Sequence, residues 1–189
     1  MEKFKELWKG EWISVVSPEK HPYEAVHEDD LIMVLPILKI KRKKDVSHYV
    51  AIRKEHCPPY MIKDTTDNEL YYTIISGKLD IKGESKEKAM IREMEEETGI
   101  KITDYEILEQ KENMPVFKTS DVRTDLYFIL IKEFERVEAE GDGTYNEEQS
   151  EVKFIKVNEL DKILEKENID FLLYGAINIL KNIFREKDD

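Results

Sequence analysis

The chain has 189 residues, with 42 Asp and Glu against 30 Lys and Arg, so its formal net charge at pH 7 is −12. This length suits one domain that buries a core of its own, and the content of apolar and aromatic residues argues against a disordered chain. The acidic excess disfavours nucleic-acid binding, because the phosphate backbone of DNA or RNA binds basic surfaces.

Cysteine usage and the lack of long apolar runs indicate the compartment. Cys57 is the only cysteine, which excludes an intramolecular disulfide and favours a reducing environment. No apolar run approaches the length of a membrane span, and the first residues lack the apolar stretch of a secretory signal. We therefore expect a cytoplasmic protein that does not bind membranes.

The N-terminal region is predicted to be a small β extension. Residues 11–16 and 23–26 have the composition of short strands and are separated by prolines. We assign residues 1–28 to this extension and residues 29–189 to the main domain.

A hairpin with a basic tip is predicted at the start of the main domain. Residues 31–40 and 46–53 are rich in apolar and β-branched side chains, and residues 39–44 between them are mostly Lys and Arg. Pro36 is expected to weaken the first strand or to mark a bulge. The tip is either a solvated turn or a phosphate-binding patch.

The second half of the chain mixes helices and strands. A helix is predicted over residues 85–98, with Ser85 as its N-cap and Gly99 at its end, and an amphipathic helix over residues 170–185. Asn158 is expected to cap a short helix. The predicted strands of this half cover residues 70–75, 107–109, 126–131 and 151–157. Because helices and strands do not alternate regularly, we predict an α/β protein in the broad sense, of the α+β type, with a mixed sheet flanked by helices.

The helix over residues 85–98 carries the main functional signal. At about 100° per residue, Glu93, Glu96 and Glu97 fall on one stripe, while Met90 and Met94 fall on a neighbouring stripe that would face the core. Such carboxylates repel one another unless a cation neutralises them, and Mg²⁺ or Mn²⁺ accepts several carboxylate oxygens. The alternative is a solvated acidic face on a surface helix.

The same segment resembles the Nudix box. Its residues Glu84, Arg92, Glu93, Glu96, Glu97 and Gly99 match the spacing of G-x5-E-x7-R-E-U-x-E-E-x-G-U, in which U is aliphatic. The opening glycine is Gly77, which leaves six residues before Glu84 where the pattern has five. The loop is therefore expected to carry one extra residue.

The resemblance implies a fold, a metal site and a mechanism. It implies a Nudix-like α/β/α sandwich, with Mg²⁺ or Mn²⁺ held by Glu93, Glu97 and Glu96. The main-chain carbonyl of Ser76 would add a ligand, and Glu84 would bind or orient outer groups. Arg92 would pair with the carboxylates and fix their rotamers. In the acidic loop that follows, the catalytic base would be Glu148, with Glu151 as the second choice.

Features outside the box resemble the ADP-ribose pyrophosphatase branch of the family. They are the strands leading into residues 30–37, the downstream Pro115, residues 120–127 and the acidic loop over residues 141–152. Two segments depart from that branch, residues 73–76 before the opening glycine and residues 53–58, which lack its Arg-rich character.

This likeness implies a substrate and an oligomeric state. Arg53, Trp12 and Pro115 would contact substrate, although ordinary packing is the alternative for Trp12, and two chains would pair through the N-terminal region as a homodimer. The expected reaction is hydrolysis of ADP-ribose to AMP and ribose 5-phosphate. The alternatives are hydrolysis of a nucleoside triphosphate, a sugar nucleotide or a dinucleotide, and nucleotide sensing without turnover. Sensors of this family generally lose box carboxylates, which are present here.

Overall fold

The computed structural model describes residues 4–11, 13–19, 23–43, 45–57, 70–137, 139, 150–166 and 168–188. The described strands are β1 (Phe4–Lys9), β2 (Ser14–Pro18), β3 (Ala25–His27), β4 (Leu31–Arg42), β5 (Asp45–His56), β6 (Leu70–Thr73), β7 (Ile75–Lys78), β8 (Ile100–Pro115), β9 (Arg123–Arg136) and β10 (Glu151–Lys156). The described helices are α1 (Lys86–Thr98), α2 (Asp161–Leu164) and α3 (Phe171–Asp188), with a 3₁₀ turn at Val157–Glu159.

The strands form two sheets. Strands β1, β2 and β3 make a small antiparallel sheet at the N-terminus, as the sequence predicts in outline. The other seven form one sheet in the order β10-β5-β4-β9-β8, in which β6 also pairs with β5 and β7 with β4. The pairing of β4 with β9 is parallel, whereas the other pairings are antiparallel, so the predicted mixed sheet is confirmed.

Helices cover both faces of the large sheet. On one face, α3 and α2 contribute Leu173, Ile177, Leu180 and Ile163 to a core with the strands. On the other face, Ala89, Met90 and Met94 of α1 pack against the sheet and are fully buried, as the helical spacing predicts. The sheet lies between the two helical layers, which confirms the predicted sandwich.

Strand β4 is buried on both faces, and its proline does not break it. One edge of β4 pairs with β7 over residues 31–34 and then with β5 over residues 37–42. Pro36 falls between these two partners, where its missing N–H leaves no ladder bond unmade. The other edge pairs continuously with β9.

The ends of α1 are capped as the sequence predicts. The Ser85 hydroxyl accepts a hydrogen bond from the backbone N–H of Lys88, and Gly99 adopts a left-handed φ of 63°. The Nζ of Lys86 lies 2.9 Å from the carboxylate of Asp125 on β9, a buried side chain that also accepts a hydrogen bond from the backbone of Asn113. The start of α1 is thereby tied to the sheet.

Three elements differ from the sequence-based expectation. Strand β1 was not expected, and β8 spans 16 residues instead of three. Register shifts interrupt β8 at several points, so its apolar residues do not alternate regularly along the chain. Asn158 lies inside the 3₁₀ turn and is not a helix cap. In the described part of the chain, no helix is long and apolar enough to cross a membrane.

Candidate active site

The end of β7 brings the chain directly under α1. An added Cβ at Gly77 would lie 1.8 Å from the carboxylate carbon of Glu93, so only glycine leaves room for this side chain. Ser76 lies immediately before Gly77 and pairs with Met33 on β4. Gly77 therefore places the backbone of β7 against a carboxylate of α1.

Arg92 gathers three of the box carboxylates. Its Nη1 donates to Glu93 Oε1 at 2.6 Å and to Glu96 Oε2 at 3.0 Å. Its Nη2 donates to Glu84 Oε2 at 3.0 Å and to the carbonyl of Lys78 at 3.4 Å. The guanidinium thus links the loop before the helix, the end of β7 and the acidic stripe of α1.

A second arginine, Arg53 on β5, contacts the remaining box carboxylate. Its Nη1 lies 2.7 Å from Glu97 Oε1, and its Nη2 lies 3.3 Å from Glu55 Oε2. Thr73 on β6 donates its hydroxyl to Glu55 Oε1 at 2.5 Å. The side chains of Arg53 and Glu97 are only 5% and 10% exposed, so this ion pair is largely shielded from water.

Burial changes the protonation equilibria of these groups. Burial raises the pKa of Glu97 to about 8, against the opposing effect of the Arg53 charge. Burial also raises the pKa of Glu93, while the adjacent Arg92 charge acts to lower it. The hydrogen bond to Glu84 raises the pKa of Arg92, which stays charged. Burial therefore disfavours the ionised form of both carboxyl groups, while the neighbouring arginine charges favour it.

The residues of α1 fit a divalent cation by their chemistry. Among the described residues, no group of three Asp, Glu, His or Cys side chains is close enough together to hold a metal ion as they stand. Glu97 Oε2, however, is buried and has no hydrogen-bond partner in the described part of the chain. Glu93 and Glu96 lie on the same stripe, both held by Arg92. This all-oxygen donor set suits Mg²⁺ or Mn²⁺.

The structure does not bring all of the candidate residues together. Glu151 opens β10 directly opposite Lys54, on the face of the sheet opposite to Arg53 and Glu97. Its carboxylate lies 2.6 Å from Lys153 Nζ and is 44% exposed. Pro115 is exposed at the end of β8 and pairs with Arg123. Glu148 and Trp12 lie outside the described residues.

Sequence reasoning missed Glu55 and Thr73, and it expected Arg53 to contact substrate. A signal for them was present, because Arg53 and Glu55 are charged residues that continue the face of β5 on which Ala51 is buried. A charged side chain on a buried face needs a partner of opposite charge. For Arg53 this partner is Glu97 on α1.

Comparisons with known proteins agree with this fold and box. A family model described as the NUDIX domain matches residues 45–174, more than half of the chain. The crystal structure of an ADP compounds hydrolase superposes with a TM-score of 0.67 at 14% sequence identity, covering 98% of this chain and 93% of that one. At this identity the likeness concerns the fold. No curated protein matches the chain.

Proposed function

The chain belongs to the NUDIX domain family, and we propose that it is a divalent-metal-dependent hydrolase that cleaves the pyrophosphate bond of ADP-ribose to give AMP and ribose 5-phosphate. Family membership supports the broader activity, hydrolysis of a nucleoside diphosphate compound by a Nudix pyrophosphohydrolase. The observation that carries the proposal is the stripe of Glu93, Glu96 and Glu97, with Gly77 leaving room for the first of them. The fold shared with an ADP compounds hydrolase supports ADP-ribose as the first substrate to test.

Glu93, Glu96 and Glu97 would hold Mg²⁺ or Mn²⁺, with the main-chain carbonyl of Ser76 as a further ligand. When bound, the cation neutralises the anionic pyrophosphate and lowers the pKa of a coordinated water. Glu84 would bind or orient outer groups, since its carboxylate pairs with Arg92, which also holds Glu93 and Glu96. Arg92 holds the rotamers of Glu93 and Glu96, so that the carboxylates are ordered before the cation arrives.

Hydrolysis also needs a base to take a proton from the attacking water. Glu148 is the first choice, as the acidic loop of the family suggests. Glu151 is the weaker choice, because it faces the other side of the sheet and its carboxylate is held by Lys153.

Substrate contacts and assembly remain part of the proposal. Pro115 lies at the sheet edge where β8 meets the start of β9, and Trp12 belongs to the N-terminal region through which two chains would pair. We propose a small-molecule nucleotide as the substrate and a homodimer as the working form.

A substrate panel tests the reaction. Wild-type protein is incubated with Mg²⁺ or Mn²⁺ and ADP-ribose, a nucleoside triphosphate, a sugar nucleotide or a dinucleotide, and released AMP and pyrophosphate are counted. We expect the largest kcat/KM for ADP-ribose and no turnover with chelator. If another compound of the panel has a higher kcat/KM, that compound is the better substrate and the ADP-ribose assignment is wrong. If a nucleotide binds but is not hydrolysed with either Mg²⁺ or Mn²⁺, the protein is a nucleotide sensor.

A further inference from the structure

The two arginines of the site divide the box carboxylates between them. Arg92 is exposed by 24% of its side chain and binds Glu84, Glu93 and Glu96. Arg53, whose side chain is 5% exposed, binds Glu97. In the described part of the chain, the hydrogen bonds and ion pairs of Arg92 go to other groups and not to Glu97. Glu97 is the most buried of these carboxylates, and its arginine partner lies on strand β5, whereas Arg92 lies on α1 itself.

The setting of Arg53 argues against direct contact with substrate. Its side chain is only 5% exposed and its guanidinium already faces two carboxylates, Glu97 and Glu55, so a substrate phosphate would have to reach a buried group that has anionic partners of its own. Phosphate would also enter a region where two carboxyl groups already share one arginine. An arginine that reads phosphate is normally presented to the binding cleft with its donors available.

The contacts of Arg53 form an ordered chain across three elements. The Thr73 hydroxyl on β6 donates a hydrogen bond to Glu55 on β5. Glu55 in turn contacts Nη2 of Arg53, and Nη1 of Arg53 contacts Glu97 on α1. This arrangement fixes Oε1 of Glu97 and leaves Oε2 buried and, within the described residues, without a hydrogen-bond partner. An oxygen buried in this way is costly unless another partner satisfies it.

We propose that Arg53 is a positioning residue: it holds the Glu97 carboxylate through Oε1 so that Oε2 is available to the cation, and Glu55 and Thr73 hold Arg53 in place. This inference rests on the proposed function, because it assigns Glu97 to the metal site. It replaces substrate contact as the role of Arg53. Supporting groups of this kind change metal affinity or activity by about 10- to 100-fold when removed.

The test compares Arg53→Met and Arg53→Lys with Arg42→Met, an arginine near the tip of the β4–β5 hairpin. Mn²⁺ binding is measured on each protein without substrate, from the electron paramagnetic resonance of free Mn²⁺, and kcat and KM are measured at saturating Mn²⁺. We expect Arg53→Met to bind Mn²⁺ about 10- to 100-fold more weakly and to lose kcat, with KM near that of wild type. Arg53→Lys should be intermediate, because an ammonium keeps the charge but lacks the fork that spans two carboxylates.

A conservative second variant keeps the test valid if Arg53→Met does not fold. Glu55→Gln keeps the shape of the Arg53 support and should weaken Mn²⁺ binding by a smaller factor, with a circular dichroism spectrum like that of wild type. Wild-type Mn²⁺ affinity in Arg53→Lys and Glu55→Gln would overturn the positioning role, as would a raised KM with unchanged affinity in Arg53→Lys. If Glu97→Gln also binds Mn²⁺ like wild type, the metal site of the proposed function fails as well, which separates the two failures.

Discussion

Cys57 shows how a single residue near the candidate site can be chemically inactive. Cys57 directly follows the last residue of β5, and its sulfur lies 4.0 Å from the backbone carbonyl oxygen of Glu55. Burial raises the pKa of Cys57 to about 12, and the negative charges of Glu55 and Asp170 act in the same direction. The nucleophilic thiolate therefore forms only at high pH, which argues against a catalytic cysteine.

We expect the Cys57 thiol to react slowly, because its raised pKa keeps it protonated. At about pH 8, folded protein should react with 5,5′-dithiobis(2-nitrobenzoate) at least about 10-fold more slowly than protein unfolded in guanidinium chloride, because its thiolate fraction is lower. Reactivity should increase as the pH rises toward the raised pKa. Equal rates for folded and unfolded protein would show that the thiol is neither buried nor raised in pKa.

At the scale of elements, β7 can lie against the Glu93 side chain of α1 because residue 77 is a glycine. The atoms that a Cβ at Gly77 would meet are the carboxylate atoms of Glu93, at 1.8 to 2.2 Å. These atoms end a flexible side chain, so α1 can stay in place while the carboxylate moves away. A side chain at residue 77 would therefore displace the Glu93 carboxylate without requiring α1 or β7 to move.

Gly77→Ala should separate activity from stability. We expect hydrolysis to fall by about 10- to 100-fold, because Glu93 is displaced from the stripe, while the melting temperature changes by only a few degrees. The matched control is Gly175→Ala on α3, where an added Cβ meets no atom of the described residues within 4 Å, so this change should leave activity unchanged. If Gly77→Ala keeps wild-type activity, Glu93 is not needed where the structure places it.

Elements with local signals could be predicted from the sequence, whereas contacts between distant elements could not. Helix α1 was predicted with both of its ends, because the Ser85 cap, the Gly99 stop and the apolar spacing all lie within the segment. The Arg53 contact with Glu97 depends on how β5 lies beneath α1, which no local pattern encodes. Strand β8 was underestimated because its register shifts disrupt alternation.

For the whole molecule, the N-terminal sheet presents large apolar side chains that are exposed in the described part of the chain. Every residue of β1 is exposed, and Phe4 and Trp8 are 59% and 55% exposed. Apolar side chains clustered on one small sheet are typical of a protein–protein contact. These exposed side chains support the proposed homodimer.

The homodimer can be tested by mass. Light scattering after size exclusion should give twice the chain mass of 22.4 kDa for the wild type. Phe4→Asp should shift the protein toward the monomer, because a charge would be buried in the contact. Phe171→Asp, at an exposed residue of α3, is the control and should leave the mass unchanged. A wild-type monomer at micromolar concentration would contradict the prediction.

The whole account depends on the carboxylate stripe of α1, and one pair of variants tests it most directly. The rate of ADP-ribose hydrolysis with Mg²⁺ is compared for Glu97→Gln and Glu95→Gln, which make the same chemical change two residues apart on one helix. We predict that Glu97→Gln loses more than about 100-fold in kcat, because the cation loses a ligand, whereas Glu95→Gln stays near wild type. Equal activity of the two variants would contradict the proposed metal site.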